Sequence, residues 1–269
     1  MQGNNDSPVN LKIQLSSERI LFNYQFELQK LLKIFNFSNS IAIAQSENAF
    51  QDIKPFLNIS PLKSLNFSFD EVKVAFIDWN ILNTIRDSIE YVSCFLEEVN
   101  FYCTIVNLSK RTNVTGKEFS ESILKSRTAF NKAGLPDKIR YLHKKFDVHS
   151  SFDEYILSIN KARNCLVHRK GIVSKVDIDH EKKLMIKWNT LRFKAVSPDV
   201  KDMKYIEQND ILSQGWKLEG WLEETYKTFN LNDKISFTHD EISDTIMTLI
   251  QFGGSIFNSL LAFGSRKEE

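Results

Sequence analysis

Three side chains in the middle of the chain have the types and the spacing that metal-free cleavage of RNA requires. Arg163 is followed directly by Asn164, and His168 comes five residues after the arginine. An imidazole that titrates near neutrality can take a proton from a ribose 2′-hydroxyl, and a guanidinium can bind a phosphate through two donors. The asparagine can hold the imidazole or a ribose hydroxyl. This set could therefore support attack of the 2′-hydroxyl on the neighbouring phosphate, with a cation stabilising the crowded transition state.

The helix that carries these residues is predicted to begin at Ser151–Glu154, whose residue types match a capping box, and to end before Gly171. Its apolar residues recur on one face: Phe152, Tyr155, Ile159, Ala162 and Leu166. On an ideal helix, Asn164 and His168 share a face that is nearly opposite this stripe. Arg163 lies to the flank, from which its long side chain can reach the same surface. We therefore expect the three side chains to face a ligand outside the helix bundle.

Four basic residues are predicted to bind the phosphates of the RNA. Arg169 and Lys170 directly follow His168, and Lys144 and Lys145 lie at the end of the preceding predicted helix. With 35 basic and 34 acidic residues the formal net charge is only +1, so any contact with an anion must come from a local patch. A solvated basic face is the alternative interpretation of Lys144 and Lys145.

The stretch Ala162–Val173 resembles the signature of HEPN domains, the higher-eukaryote and prokaryote nucleotide-binding group. In that family an arginine, usually followed by a polar residue, precedes a histidine by four to six intervening residues at the end of the last core helix. The spacing alone is a weak signal, because nine arginines and five histidines would give it by chance in about half of random shuffles. The order of the predicted helices over roughly residues 70–173 is also similar to the helical bundle of the family.

The resemblance implies a metal-independent endoribonuclease that acts as a homodimer, in which the Arg-His pairs of two subunits meet at the interface. By position, Arg163 would stabilise the phosphate, His168 would act as the base or position the 2′-hydroxyl, and Asn164 would support both. The products would carry 2′,3′-cyclic phosphate ends. Many family members are prokaryotic toxins or antiviral effectors, so an antitoxin or another defence-system protein is an expected partner. Other members are not enzymes, and a module that binds a nucleotide, a nucleic acid or a partner protein is the alternative.

Apolar periodicity predicts a mainly α fold: a HEPN-like helical bundle with a small antiparallel β-meander insertion and extra N- and C-terminal helices. The helices are predicted at about Ser16–Phe35, Val74–Val106, Lys117–Ala129, Pro136–Phe146, Ser151–His168 and from Thr238 onwards. The expected organisation is an N-terminal helical extension over 1–70, the bundle over 71–173, the meander and its loops over 174–237, and a C-terminal helix over 238–269 that packs back on the bundle. The pair Gly253–Gly254 in that last helix predicts a close helix contact or a kink.

The meander is predicted from three short runs of alternating or β-branched apolar residues: Val173–Ile178, Leu184–Trp188 and Leu191–Ala195. A tight turn at Asn189–Thr190 is expected to join the last two runs, and a further short strand is expected at Lys234–Phe237. Four aromatic residues are expected to anchor the segment 196–237 to the core: Trp216, Trp221, Tyr226 and Phe229.

Cysteine and histidine usage gives no reason to expect a metal site or a cofactor. The three cysteines lack CxxC spacing and the five histidines lack HExxH spacing, so neither a disulfide framework nor a zinc motif is predicted. The N-terminal residues do not resemble a signal peptide, and no window reaches roughly 18 uninterrupted apolar residues. A soluble cytoplasmic protein with no membrane contact is therefore expected.

Overall fold

The chain is described by a computed structural model over residues 15–48, 67–111, 114–197, 203–206 and 215–266. Helices make up most of these residues: α1 (Ser17–Ala44), α2 (Phe69–Ser109), α3 (Gly116–Asn131), α4 (Leu135–Phe146), α5 (Asp153–Arg169) and α6 (His239–Ser265). An antiparallel sheet in the order β2-β1-β3 is formed by β1 (Lys183–Val196), β2 (Met203–Tyr205) and β3 (Lys217–Asn230). The prediction of a mainly helical protein with a small antiparallel sheet is confirmed.

α1 belongs to the predicted N-terminal extension, of which residues 1–14 and 49–66 lie outside the described ranges. The helix continues to Ala44, well beyond its predicted end near Phe35. Polar residues in this part are accommodated within the helix, since the Ser40 hydroxyl donates to the carbonyl oxygen of Asn36 at 2.8 Å. Polar composition therefore does not mark a loop here.

α2 is the longest element, with 41 residues and a length of about 60 Å. It begins with a capping box, in which the Glu71 N–H donates to the Ser68 hydroxyl at 3.2 Å and the Ser68 N–H donates to the Glu71 carboxylate at 2.8 Å. Because neither Gly nor Pro interrupts it, the predicted long helix forms as one piece, and each of the other helices named above contacts it directly. Its buried side chains at the centre of the core include Val92, Leu96, Val99 and Cys103.

α6 packs against α1, α2 and β1 and begins with a capping box, in which the Glu241 N–H donates to the Thr238 hydroxyl at 3.2 Å and the Thr238 N–H donates to the Glu241 carboxylate at 2.7 Å. The helix continues through Gly253, which lies against the ring of Tyr24. The Tyr24 hydroxyl in turn donates to the carbonyl oxygen of Leu249 at 2.8 Å. Of the two alternatives predicted from the glycine pair, the structure supports the close helix contact.

By length and composition alone, α6 would also pass as a membrane span. The core helix of a soluble protein can meet the same criterion. In the structure, α6 contributes apolar side chains to the hydrophobic core along most of its length: Ile242, Ile246, Leu249, Phe252, Ile256, Leu260 and Phe263.

β1 runs without a break through Asn189 and Thr190, so the tight turn predicted there is wrong. Both residues are buried, and α6 supplies partners for their polar groups. The Asn189 N–H donates to the Thr248 hydroxyl at 2.9 Å, and the Thr190 hydroxyl donates to the Asp244 carboxylate at 2.8 Å. Two residues typical of turns are therefore stable inside a strand because a helix satisfies them.

The other two predicted strands, Val173–Ile178 and Lys234–Phe237, are not strands. A single isolated bridge joins Ile172 to Lys234, and residues 175–177 form a turn. This turn is closed by a bond from the Asp177 N–H to the carbonyl oxygen of Ser174 at 3.0 Å. The Asp177 carboxylate also accepts from the Ser174 N–H at 2.8 Å. This side-chain contact folds the backbone locally and overrides the preference of the β-branched residues for a strand.

β3 pairs with β1 along its whole length and carries charges that face those of β1. Arg192 pairs with Glu223 at 2.8 Å, and Lys194 pairs with Glu219 at 3.0 Å. These ion pairs lie in the half of the β1–β3 ribbon that is away from the end at which Lys183 lies opposite Asn230, where β2 also pairs with β1. Arg192 and Lys194 of β1 are thus balanced across the strand pair.

Of the predicted aromatic anchors, only Phe229 is buried, whereas Tyr226 is 61% exposed and Trp216 and Trp221 are partly exposed. Phe229 and Tyr226 lie on opposite faces of β3, since side chains alternate along a strand. The prediction is therefore wrong for Tyr226. Trp188 of β1, which is 2% exposed, anchors the ribbon to the core instead.

Gly253→Ala should destabilise the protein, and Gly254→Ala should not. A Cβ at position 253 would lie 2.4 Å from Cε1 of the buried Tyr24 ring, whereas a Cβ at position 254 would meet nothing within 4 Å. We expect the free energy of unfolding to fall by about 1–3 kcal/mol in the first variant. In the second it should rise by up to about 1 kcal/mol, because alanine favours a helix. Urea denaturation measures both, and equal stabilities would contradict the close approach of α1 and α6.

Candidate functional site

α5 positions the predicted site because one of its faces is buried against α2, α6 and β1. The residues on that face include Ile156, Ile159, Ala162, Cys165 and Leu166. Burial raises the pKa of the Cys165 thiol, which keeps it protonated and unreactive. The capping box predicted at Ser151–Glu154 is wrong, since the helix begins at Asp153 after Phe152, which makes no side-chain cap. The Ser150 hydroxyl accepts from the Phe152 N–H at 3.0 Å instead.

Lys161, Asn164 and His168 lie at intervals of three and four residues on the outer face of α5 and line one cleft of about 300 Å³. Arg169 and two residues of the following turn complete its walls. The His168 side chain is exposed, and Asn164 is half-buried. The structure therefore places two of the three predicted catalytic side chains on one solvent-facing surface.

Arg163 does not line this cleft but is joined to it through Asn164. Its Nη1 donates a hydrogen bond to Oδ1 of Asn164 at 3.1 Å. Its Nε is buried and has no hydrogen-bond partner among the described residues. A buried donor without a partner costs about 1–3 kcal/mol. The guanidinium is thus held beside the cleft in a state that a new acceptor would stabilise.

Arg169 and Asp177 form an ion pair at the end of the site. The Arg169 Nε donates to Oδ2 of Asp177 at 2.8 Å, and Nη2 contacts Oδ1. The backbone N–H and the hydroxyl of Ser174 donate to the same carboxylate, each at 2.8 Å. Burial opposes ionisation of Asp177, but these hydrogen bonds and the charge of Arg169 outweigh it and lower its pKa. Arg169, which is predicted to bind substrate, is therefore committed to an ion pair within its own chain.

The helix ends at Lys170 and Gly171, which both have left-handed backbone conformations with φ of 54° and 76°. The Gly171 N–H donates to the carbonyl oxygen of Cys165 at 3.1 Å and so satisfies a carbonyl group at the helix end. The glycine stop signal predicted here is confirmed. Lys170, also predicted to bind substrate, is exposed at this helix end, outside the set of residues that line the cleft.

Lys144 and Lys145 lie far from His168 within one chain. They belong to the last turn of α4, which a short connection joins to the first turn of α5, whereas His168 is on the last turn of α5. From Asp153 to His168 the helix is about 22 Å long. Lys145 also donates to the Tyr141 hydroxyl at 2.5 Å and lies over its ring. The structure therefore does not bring these two lysines to the cleft.

A second group of chemically capable side chains is not indicated by any metal-binding motif of the sequence: His143, Asp147 and His149. Their ligand atoms lie within 4.8 Å of one another at the end of α4. Their spacing differs from HExxH because the chain reverses at Asp147, which has a left-handed backbone conformation with a φ of 53°. Two histidines on either side of a helix end were the only sequence signal for this cluster.

A comparison with known proteins finds no matching family model, no matching curated protein and no matching solved structure. The chain is therefore characterised by its own structure, a mainly α protein with a small antiparallel sheet. Its most distinctive chemical feature is the group formed by Arg163, Asn164 and His168 at the end of α5.

Asp177→Asn should destabilise the protein much more than Asp137→Asn. The Asp177 side chain is 3% exposed and its neutralisation leaves Arg169 unpaired, whereas the pair of Asp137 with Arg140 is exposed on both sides. We expect the free energy of unfolding to fall by about 3 kcal/mol in the first variant and by less than about 0.5 kcal/mol in the second.

The effect of Asp177→Asn should also depend on pH. Because the folded state lowers the pKa of Asp177, its ionisation contributes stability above the unfolded pKa of about 3.9, and this contribution is lost as the pH falls through the folded value. Chemical denaturation in steps from neutral to strongly acidic pH should show the two proteins converging in stability. A difference that stays constant across that range would contradict the role of the charge.

Proposed function

We propose that the chain is a metal-independent endoribonuclease of the HEPN type, which cleaves RNA through attack of a 2′-hydroxyl and leaves 2′,3′-cyclic phosphate ends. One observation carries the proposal: Arg163, Asn164 and His168 are grouped at one helix end, with the imidazole exposed in a cleft and the guanidinium bonded to the amide. A cyclising cleavage needs a base and a cation beside the phosphate, and this group supplies both.

His168 is proposed as the group that takes the proton from the 2′-hydroxyl. Its side chain is exposed in the cleft, so RNA can reach the imidazole without a rearrangement of the helix. Asn164 lies one turn before it on the same face, where its amide can bind the ribose while it orients Arg163.

Arg163 is proposed to bind the scissile phosphate. In the free chain its Nε is buried without an acceptor among the described residues, so the guanidinium is incompletely bonded before RNA binds. Once the side chain swings towards the cleft, a phosphate could accept from Nε and a neighbouring nitrogen together, as planar guanidinium groups commonly allow. Binding of the phosphate would then remove an existing cost as well as add a charged hydrogen bond.

Lys161 and Lys170 are proposed to hold the phosphates on either side. Lys161 lines the cleft beside Asn164, and Lys170 is exposed at the helix end. Arg169 is left out of this role because its guanidinium is paired with Asp177. Lys144 and Lys145, at the other end of α5, would meet only a distant part of a longer RNA.

A homodimer is part of the proposal because one chain supplies only one side of an enclosing site. Water in an open cleft weakens the interactions that stabilise the transition state. A second copy that places its own Arg163 and His168 opposite the first would enclose the phosphate. The resemblance of Ala162–Val173 to the HEPN signature leads us to propose a role as a toxin or antiviral effector, with an antitoxin or defence-system protein as partner.

Single-stranded RNA should be cleaved by the purified chain in the presence of EDTA, and this activity should be lost in two variants. Arg163→Ala removes the cation and His168→Ala removes the base, so we expect each to lower the cleavage rate by about 100-fold or more. Cleavage is measured on gels, and the chemistry of the ends by mass spectrometry, which should find 2′,3′-cyclic phosphates.

Matched controls separate this loss from general effects on charge or folding. Arg192→Ala and His239→Ala remove the same residue types at exposed positions outside the cleft lining and should leave the cleavage rate unchanged. All variants should unfold at the urea concentration of the wild type. If the wild-type dimer binds RNA without cleaving it, the chain is a binding module and the enzyme proposal is wrong. A 5′-phosphate product would exclude the proposed attack.

The dimer should place two copies of His168 near each other. Light scattering should give twice the 31.3 kDa mass of one chain. In a background that carries Cys94→Ser, a His168→Cys variant should be joined into a covalent dimer by a short bifunctional maleimide, whereas His239→Cys, at the start of α6, should not. A monomer at micromolar concentration, or equal cross-linking at both positions, would contradict the shared cleft.

A further inference from the structure

We propose that His143, Asp147 and His149 bind a divalent transition-metal ion of the Zn²⁺ type. The site lies at the end of α4, next to the first turn of α5, and so at the opposite end of that helix from His168. It is independent of the proposed nuclease activity, which needs no metal.

The three side chains are close enough to share one ion. Their ligand atoms lie within 4.8 Å of one another, and Nδ1 of His149 is 3.6 Å from Oδ1 of Asp147. Ligands that bind Zn²⁺ tetrahedrally at about 2.1 Å are about 3.4 Å apart. All three side chains are exposed and can make this small closure by rotation, without a shift of the backbone.

The backbone around the cluster brings the histidines together and is itself well anchored. The Asp147 N–H donates to the carbonyl oxygen of His143 at 2.9 Å, and the Val148 N–H donates to that of Leu142 at 3.3 Å. Val148 is buried, so the chain folds back under the end of α4 and returns His149 beside His143. The ring centroids of the two histidines are 4.9 Å apart as a result.

α6 and Arg266, the residue that directly follows it, supply contacts that orient two of the three ligands. The His149 N–H donates to the Ser259 hydroxyl at 3.1 Å, which fixes the backbone of this residue. Nη2 of Arg266 donates to Oδ2 of Asp147 at 2.7 Å. Because Arg266 occupies one carboxylate oxygen, the other is left facing His149. Such outer contacts are typical of sites in which the ligands are held ready for a metal.

A further carboxylate lies behind the cluster. Oδ1 of Asp153 is buried and has no hydrogen-bond partner among the described residues. Burial raises the pKa of Asp153, whereas a backbone hydrogen bond from Ser150 and then the charges of His149 and His143 act in the opposite direction. This carboxylate could accept a hydrogen bond from a ligating histidine or from a metal-bound water, which would satisfy the unpaired oxygen.

The ligand types select the kind of ion. Two imidazole nitrogens and one carboxylate oxygen suit Zn²⁺ and its neighbours in the first transition row, whereas Ca²⁺ and Mg²⁺ prefer sites made of oxygen ligands alone. Three protein ligands leave at least one position of a tetrahedral ion for water.

Calorimetric titration of the chelator-treated, full-length protein with Zn²⁺ tests the proposal. We expect one ion per chain, with an affinity that falls by about 10-fold or more in both His143→Ala and His149→Ala. His180→Ala and His168→Ala are the matched controls and should bind Zn²⁺ like the wild type. Mg²⁺ should give no binding heat at the same concentrations.

A second measurement keeps the result independent of folding. The His143→Ala and His149→Ala variants should unfold at the wild-type temperature without Zn²⁺ but should lose the rise in unfolding temperature that Zn²⁺ gives to the wild type. Binding that survives both substitutions, or that is lost equally in His180→Ala, would overturn the proposal. So would the absence of any binding to the wild type at micromolar Zn²⁺.

Discussion

The burial of the apolar side of α2 is the constraint on which the rest of the structure depends. A helix of 41 residues has more apolar surface than any single neighbour can cover, and α1, α3, α4, α5 and α6 each contact part of it. Polar contacts mark which neighbour meets which part. Asn80, near the start of α2, donates to Asn39 of α1 at 2.9 Å, and Thr104, near its end, lies 3.1 Å from Ser126 of α3. The long helix thus determines the arrangement of the bundle in space.

The outer surface of α5 follows from this arrangement. Once Ile159, Ala162 and Cys165 are buried, helical periodicity leaves the face of Asn164 and His168 in solvent. The two polar clusters described above also share a local cause. Each lies where a helix ends in a left-handed residue, Asp147 or Lys170, and where the returning chain places side chains beside the last turn. Helix ends therefore carry both the side chains of the two proposed sites and the backbone polar groups that the core cannot accept.

Features that depend on local periodicity could be predicted from the sequence. α2 was evident from its uninterrupted apolar spacing within one stretch of the chain. The outward position of His168 also required only the geometry of one helix. These predictions succeed because the decisive residues lie within a few turns of one another.

Features that depend on distant partners could not be predicted in the same way. The sequence predicts a turn at Asn189 and Thr190 because it does not show their partners. These are Thr248 and Asp244, more than 50 residues away in sequence. The sequence predicts that Arg169 is free to bind a phosphate, because the turn that brings Asp177 into contact with it is visible only in three dimensions. The nuclease proposal itself rests on residue types and their grouping at the end of α5.

The charged half of the β1–β3 ribbon has a consequence for the precision of strand pairing. In a buried sheet, a slip of one residue is prevented because it would turn apolar side chains towards water. Leu191 and its partner Leu222 are already exposed, so burial gives little discrimination at this pair, in contrast to the buried Ala195 and Val196 at the end of β1. The alignment there is instead favoured by Arg192 with Glu223 and by Lys194 with Glu219. Salt screens exposed charges but not apolar packing. Ionic strength therefore acts on the alignment of β1 with β3 at these ion pairs, while it leaves the helical core unchanged.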